Sequence, residues 1–397
     1  MQNIQPLKKG FKYRIYPNLQ QKEILIKIFG ASRFVYNYFL DKNKKEYEDW
    51  KTGVCKTRPV VNAFQLMTEL PLLKQREEFK WLNDCPAQIL QSKISDLNNA
   101  FQRFFKNGGY PRFKSKHFRQ SVEFNNQNYK IKDSKLQLLK TPDLIKINWH
   151  RELSKGKITR CVISMEPTGE FYASFTCEYT PVKTNGTGIV GLDAGITDLA
   201  TTSTGETFEN PRHYVNAQKK LTKLQRRLSK KKKGSKNRNK ARLKVAKHHS
   251  HIANQRKDYM HKLTTRLVRE NQAVAIESLQ VKNMVKNHKL AKHIADAGWG
   301  MMREQLVYKT IASNHCKLIL ADPYYPSTQL CSDCGTKPAE RIKLGVTKWT
   351  CCNCGSVHER DHNAAKNLEQ LALRELLMAK QMKSDKPIIL AGRYTPV

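Results

Sequence analysis

Gly188-Ile-Val-Gly-Leu-Asp193 is an apolar run closed by an acid. Without polar alternation, such a run reads as a strand covered on both faces. Two later runs repeat the pattern. One is Ala273-Val-Ala-Ile-Glu277, and the other is Lys317–Asp322, built on Leu318-Ile-Leu-Ala321. Behind the first run, Leu199–Ser203 and Glu206–Glu209 flank Thr204-Gly205 and read as a hairpin. Tyr214 to Asn271 is helical with a break near Gly234. Met301–Ser313 is a second helix, and Asn363 to Lys380 is a last amphipathic one. The order β-β-β-α-β-α-β-α is that of a ribonuclease H-like α/β domain.

Upstream, Phe11-Lys-Tyr-Arg-Ile-Tyr16 alternates apolar and polar side chains, and Pro17 ends it. Asn18 then caps a helix, with Gln21 in the capping-box position. Helical spacing continues to about Phe105, with Pro59, Pro71 and Pro86 expected at helix boundaries. From Ser121 to Tyr179 the pattern alternates again, and Pro167-Thr-Gly169 turns a hairpin. A small β-barrel is predicted there. Pro181 to Gly188 is a polar linker.

The chain has 397 residues, of which 39% are hydrophobic, enough to bury a core in more than one domain. Lys and Arg number 72 against 34 acids, for a net charge of +38. Such an excess repels itself unless a polyanion neutralises it. It points to nucleic acid rather than to a small metabolite. No run of about 18 apolar residues is present, so no membrane span is expected. Met1 to Gly10 lacks the apolar region of a signal peptide. The expected location is the cytoplasm, at the nucleoid.

The acids at the strand ends carry the chemistry. Asp193 and Glu277 close apolar strands, and Asp361 in Glu359-Arg-Asp-His-Asn363 opens the last helix. Burying an acid at a strand end is costly unless a cation meets it. Carboxylates suit Mg²⁺. Three of them around two ions about 4 Å apart support phosphodiester hydrolysis. Asp322 is the competitor, but Pro323 behind it suggests a turn. Asp198 is a weaker one, expected to open the second strand.

Cys331-Ser-Asp-Cys334-Gly and Cys351-Cys-Asn-Cys354-Gly are two CxxC knuckles with 16 residues between Cys334 and Cys351. That is the spacing of a four-thiolate zinc ribbon holding one structural Zn²⁺, with Cys352 the spare. Between Arg212 and Lys257 there are 18 Lys or Arg and no acid. A solvated helix face normally mixes signs. This single-sign stretch is expected to bind phosphate backbone without reading sequence. The contact candidates are Lys230, Lys231, Lys232, Lys233, Lys236 and Arg238, with Arg360 beside the third acid. No HExxH pattern, Walker loop or serine-hydrolase signature is present.

Seven stretches in order resemble the TnpB (OrfB) family encoded by insertion sequences. They are Tyr13-Arg-Ile-Tyr-Pro17, Arg33-Phe-Val-Tyr-Asn37, Tyr110-Pro-Arg-Phe-Lys-Ser115, Gly191-Leu-Asp-Ala-Gly195, Ile276-Glu-Ser-Leu-Gln-Val-Lys-Asn283, Cys331-Ser-Asp-Cys-Gly335 and Arg360-Asp-His-Asn-Ala-Ala-Lys366. The resemblance implies an RNA-guided DNA endonuclease related to type V CRISPR effectors. Its partners would be a guide RNA from the transposon end and double-stranded target DNA. Guide pairing would read the target, and the protein would read a short adjacent motif.

The resemblance implies a multidomain α/β chain. Residues 1–13 and 115–185 would form a wedge β-barrel, and 14–114 a helical recognition lobe. Residues 186–324 and 357–380 would form a RuvC-like nuclease, with a zinc ribbon at 325–356 inserted. The polar tail at 381–397 departs from the family pattern, in which members often run longer, and is expected to be flexible. The family's acidic triad falls on Asp193, Glu277 and Asp361, and its zinc ligands on Cys331, Cys334, Cys351 and Cys354. The alternative is a catalytically silent, RNA-guided DNA-binding repressor, against which the three intact acids speak. A monomer is expected.

Overall fold

Strand β1 (Leu7–Tyr16) turns Phe11, Tyr13 and Ile15 inward and its lysines outward. Pro17 stops it, and helix α1 (Leu19–Lys51) starts at once. The Asn18 side chain accepts from the Gln21 amide at 2.8 Å, and the Gln21 side chain accepts from the Asn18 amide at 2.9 Å. This is the predicted reciprocal box. The computed structural model describes residues 7–59, 61–116, 120–154, 156–181, 184–343, 345–381 and 389–392. The chain divides into two compact units between Thr180 and Pro181.

In the first unit, α1 is followed by α2 (Ala63–Gln75), a 3₁₀ stretch (Glu77–Asp84) and α3 (Ala87–Phe105). Pro71 does not mark a boundary as expected; it sits inside α2. Its ring lies on the exposed side, while burial of Leu70 and Leu73 carries the helix past the missing donor. Strands β2 (Gln120–Phe124), β3 (Tyr129–Lys132), β4 (Lys135–Leu138), β5 (Ile145–Asn148), β6 (Ile158–Met165) and β7 (Phe171–Tyr179) join β1. The sheet order is β2-β6-β7-β1-β5-β4-β3, antiparallel throughout. Among the described residues its edges β2 and β3 do not pair, so the predicted barrel is a near-barrel.

The second unit opens with β8 (Gly188–Asp193), β9 (Asp198–Thr202) and β10 (Thr207–Glu209). Helices α4 (His213–Ser229) and α5 (Lys236–Glu270) follow, then β11 (Asn271–Ile276). Next come α6 (Val281–Met284), α7 (Ala291–Ala297), α8 (Trp299–Ser313) and β12 (Lys317–Ala321). A small hairpin of β13 (Lys348–Thr350) and β14 (Val357–Glu359) leads into α9 (Arg360–Gln381). With a last strand, β15 (Ile389–Gly392), the sheet order is β10-β9-β8-β11-β12-β15. β8, β9 and β10 pair antiparallel, and β8, β11, β12 and β15 pair parallel.

The stretch expected to be a flexible tail differs. Its residues 382–388 and 393–397, like residues 1–6, lie outside the described residues. Ile389–Gly392 is strand β15, set on the open edge of β12. That edge offers unpaired backbone groups, and an apolar segment can complete them.

Side-chain alternation divides the sheet's two faces. Val274, Ile276, Leu318 and Leu320 pack with Leu263, Leu267, Trp299 and Leu306 of α5 and α8. Ala273, Ala275, Ile319 and Ala321 pack with Leu368, Leu371 and Ala372 of α9. The α9 face is lined largely by small residues, so this helix lies close to the strands. Among the described residues no helix is long and apolar enough to cross a membrane.

Candidate functional site

Asp193 is the last residue of β8, and Glu277 directly follows β11. Leu192 and Ile276 are register partners in a parallel pair, so the two acids leave the same end of the sheet side by side. Asp361 enters from α9, one turn before Ala365. That turn is fixed against β8 at Gly191, where an added Cβ would stand 2.0 Å from the Ala365 carbonyl oxygen. The three acids, 168 residues apart from first to last by number (361 less 193), thus share one end of one sheet.

Asp193 is 7% exposed. Burial, then the charges of Glu277 and Asp361, hold its carboxyl well above the usual carboxylate range. Glu277 is also raised, by burial first. The Ser327 hydroxyl opposes this by donating to Glu277 Oε1 at 2.6 Å, and Asp361 adds to it. The Asp361 carboxylate receives the Arg360 guanidinium, through Nε at 2.9 Å and a terminal nitrogen at 2.8 Å. Asp322, the competitor, accepts from the Tyr324 amide at 2.8 Å in the turn that Pro323 suggested. Asp198 opens β9.

Among the described residues, the four cysteines are the group whose ligand atoms all lie within 4.8 Å of one another; the three carboxylates are spread wider. Cys331 and Cys354 sulfurs are 3.6 Å apart, as are those of Cys334 and Cys351. Each knuckle closes on a glycine with positive φ, Gly335 at 75° and Gly355 at 74°. The thiol of Cys334 is held down to about 5, chiefly by Thr336, and that of Cys354 is lowered by Ser356. Burial pushes Cys331 up to about 12. Four converging sulfurs, two of them favouring thiolate, suit one tetrahedral zinc ion.

A residue that spacing did not reveal stands behind the ribbon. His358 Nε2 lies 3.0 Å from Cys331 Sγ, under the Trp349 ring at 4.9 Å. Cys331→Ser is expected to drop zinc content well below one equivalent. It should also lower melting by about 5 °C or more, because binding energy in such sites is folding energy. Metal analysis and calorimetry check this, and full zinc with unchanged melting contradicts it.

The basic candidates fall into two groups. Lys230–Lys233 form the exposed turn between α4 and α5, with Lys236 exposed just beyond. Arg238 is spent differently: its guanidinium donates to the Leu228 and Lys231 carbonyls at 3.1 and 2.8 Å, closing the end of α4. Arg360 is drawn to Asp361. The base of the α4–α5 hairpin is clasped by Asp296, another residue missed in the sequence. Its carboxylate accepts from the Tyr214 and Val215 amides and from Arg256 at 2.8 Å, capping α4 from α7.

Three family matches lie along the chain. Residues 166–288 match the OrfB_IS605 family, described as "Probable transposase". Residues 299–368 match "Cas12f1-like, TNB domain". Residues 1–51 match "Helix-turn-helix domain", although the described chain there is one strand and one 33-residue helix. A Streptomyces pristinaespiralis protein named "Putative RNA-guided DNA endonuclease" is 41% identical, over 92% of this chain and 89% of its own length. "Putative RNA-guided DNA endonuclease InsQ" of Escherichia coli K12 is 32% identical, over 96% of each chain. A solved structure titled "Cryo-EM structure of the Cas12f1-sgRNA-target DNA complex" is similar in fold. Its TM-score is 0.51 at 12% identity, over 92% of this chain and 99% of that one.

Proposed function

This chain belongs to the TnpB (OrfB) family, and on that premise we infer that it is an RNA-guided DNA endonuclease whose cutting centre is the acid site of the second unit. The observation that carries the reading is electrostatic. Two acids end neighbouring parallel strands, a third reaches them from α9, and the carboxyls of the first two are both raised, Asp193 by burial and then by Glu277 and Asp361, Glu277 by burial and by Asp361. Such a cluster fits divalent cations, which would replace the water that burial removes and displace the proton that burial favours.

Asp193, Glu277 and Asp361 would hold two Mg²⁺ ions. Bound there, Mg²⁺ supplies Lewis-acid stabilisation of charge at the phosphate and the leaving 3′ oxygen. The protein's own share is placement. Strand register aligns Asp193 with Glu277, Ser327 fixes the Glu277 oxygen, and close packing at Gly191 fixes the height of Asp361. Arg360 sets a fixed positive charge beside the phosphate's path.

The sheet order, three antiparallel strands continued by parallel ones, supports assigning residues 186–324 and 357–380 to a RuvC-like nuclease of ribonuclease H type, with the ribbon at 325–356 inserted. Residues 1–13 with 115–185 would be the wedge, its first strand running on to Tyr16, and the helices that follow as far as residue 114 would be the recognition lobe. The exposed lysine turn would hold phosphate backbone of a guide RNA or of the DNA it pairs with.

The test is to purify the protein from cells and sequence the RNA that comes with it. One discrete species mapping beside the protein's own gene is expected. Changing Lys230–Lys233 to Glu should reduce its retention and flatten the salt dependence, by about 0.7–0.9 in log–log slope for each phosphate no longer neutralised. A random sample of cellular RNA would refute the guided reading. An unchanged slope would remove the lysine turn from the interface.

A further inference from the structure

Helix α9 carries more than Asp361. Asn363 and Asn367 follow on the same helix, 1% and 2% exposed. Asn363 brackets the first zinc cysteine: its Oδ1 accepts from the Ser332 amide at 2.8 Å, and its Nδ2 donates to the Leu330 carbonyl at 2.6 Å. Asn367 Nδ2 donates to the carbonyls of Ser327 and Leu330 at 2.7 and 2.8 Å. Gln370 donates to the Ser332 carbonyl at 2.5 Å.

The segment these amides hold ends on two centres. At one end is Cys331. At the other, Ser327 donates its hydroxyl to Glu277. Both ends of the buried Asn363 amide are satisfied. Leaving such a group unpaired costs about 1–3 kcal/mol, so the arrangement resists distortion. A shift of the knuckle therefore moves either α9, and Asp361 with it, or Ser327, and Glu277 with it.

We propose that Ser327, Asn363 and Asn367 are positioning residues that tie closure of the cysteine knuckle to the placement of Glu277 and Asp361, so that zinc occupancy raises the divalent-ion affinity of the acid site. The proposal rests on reading the acids as ion ligands. Thermodynamic reciprocity then requires that ions at the acids tighten zinc binding.

The test measures Mn²⁺ binding to the full chain by electron paramagnetic resonance, with zinc content determined on the same samples. Ser327→Ala weakens Mn²⁺ binding by about tenfold, the low end of the effect of partners that orient metal ligands, with zinc retained. Ser327→Thr keeps the hydroxyl and restores binding. Asn363→Ala weakens Mn²⁺ binding and also lowers zinc affinity in a chelator competition. In wild type, that zinc affinity rises when Mg²⁺ is saturating. In cleavage assays Ser327→Ala raises the Mg²⁺ needed for half-maximal rate more than it lowers the maximal rate. Wild-type Mn²⁺ affinity in both Ala variants, equal losses in Ser327→Thr and Ser327→Ala, or a zinc affinity blind to Mg²⁺ overturns the coupling. The acid site is judged separately. Asp193→Asn abolishes Mn²⁺ binding if the acids are ligands, and Mn²⁺ binding untouched by it overturns that reading itself.

Discussion

Asp193→Asn abolishes target cleavage, by at least about 10³-fold, because it removes ion-borne stabilisation of several kcal/mol while preserving the side chain's shape. Retention of RNA and binding of target are expected to be unchanged, since the proposed reading gives them to the lysine turn and the first unit, which the substitution leaves untouched. The variant also gains stability in buffer without Mg²⁺. The folded chain holds the Asp193 carboxyl well above its usual range, through burial, Glu277 and Asp361 in that order. The unfolded chain ionises it near pH 3.9. Between those two values the folded state binds more protons, so wild-type stability falls as pH rises. The penalty is absent below the unfolded value and complete above the folded one. Removing the charge lifts it, so the stability gain of the variant is largest at neutral and alkaline pH. Mg²⁺ raises the melting temperature of wild type and leaves that of Asp193→Asn where it was. Plasmid cut at the wild-type rate, or a variant less stable than wild type at pH 8, contradicts the assignment.

The parts legible in the sequence are those whose cause is local. Asn18 and Gln21 are three residues apart and cap each other, so the box is visible before folding. The CxxC spacing foretells the four-cysteine cluster, because each pair of sulfurs that a metal would need comes from residues three apart in the chain. Asp193 and Glu277 stand out because an acid ends an apolar strand, and parallel register then brings them level. Where the cause is tertiary, the sequence is silent. Pro71 breaks a helix by local rule, yet buried Leu70 and Leu73 sustain α2 around it. Ser327, Asn363, Asn367, His358 and Asp296 are ordinary polar residues in the chain. Their partners lie 27 to 82 positions away for the bonds that matter. Arg238 reads as one cation among 18, and only the fold turns it back onto α4.

Gly191 belongs to the same silent class, and its replacement is expected to be the most damaging single methyl in the second unit. In sequence it is an ordinary member of Ile-Val-Gly-Leu-Asp. In the fold α9 crosses β8 at this point. An alanine Cβ would lie 2.0 Å from the Ala365 oxygen, 2.6 Å from the Glu369 nitrogen and 2.9 Å from the Leu368 Cβ. The first two are helix backbone and cannot swing aside as a long side chain would. Relief requires α9 to lift from the sheet, and that loosens the packing of Leu368, Leu371 and Ala372. Overpacking of this kind costs about 1–3 kcal/mol or more, which for a unit of this size is several degrees of melting temperature. The chemical loss is larger, because Asp361 rides on the first turn of the same helix and a displacement of about 1 Å is enough to cost 10²-fold in rate. Gly300 on α8 is the control: nothing lies within 4 Å of a Cβ there. Gly300→Ala should be neutral or stabilising by up to about 1 kcal/mol, as glycine is a poor helix former. Equal melting temperatures for the two variants, or cleavage by Gly191→Ala within a few-fold of wild type, would mean that α9 does not set the third acid by its contact with β8.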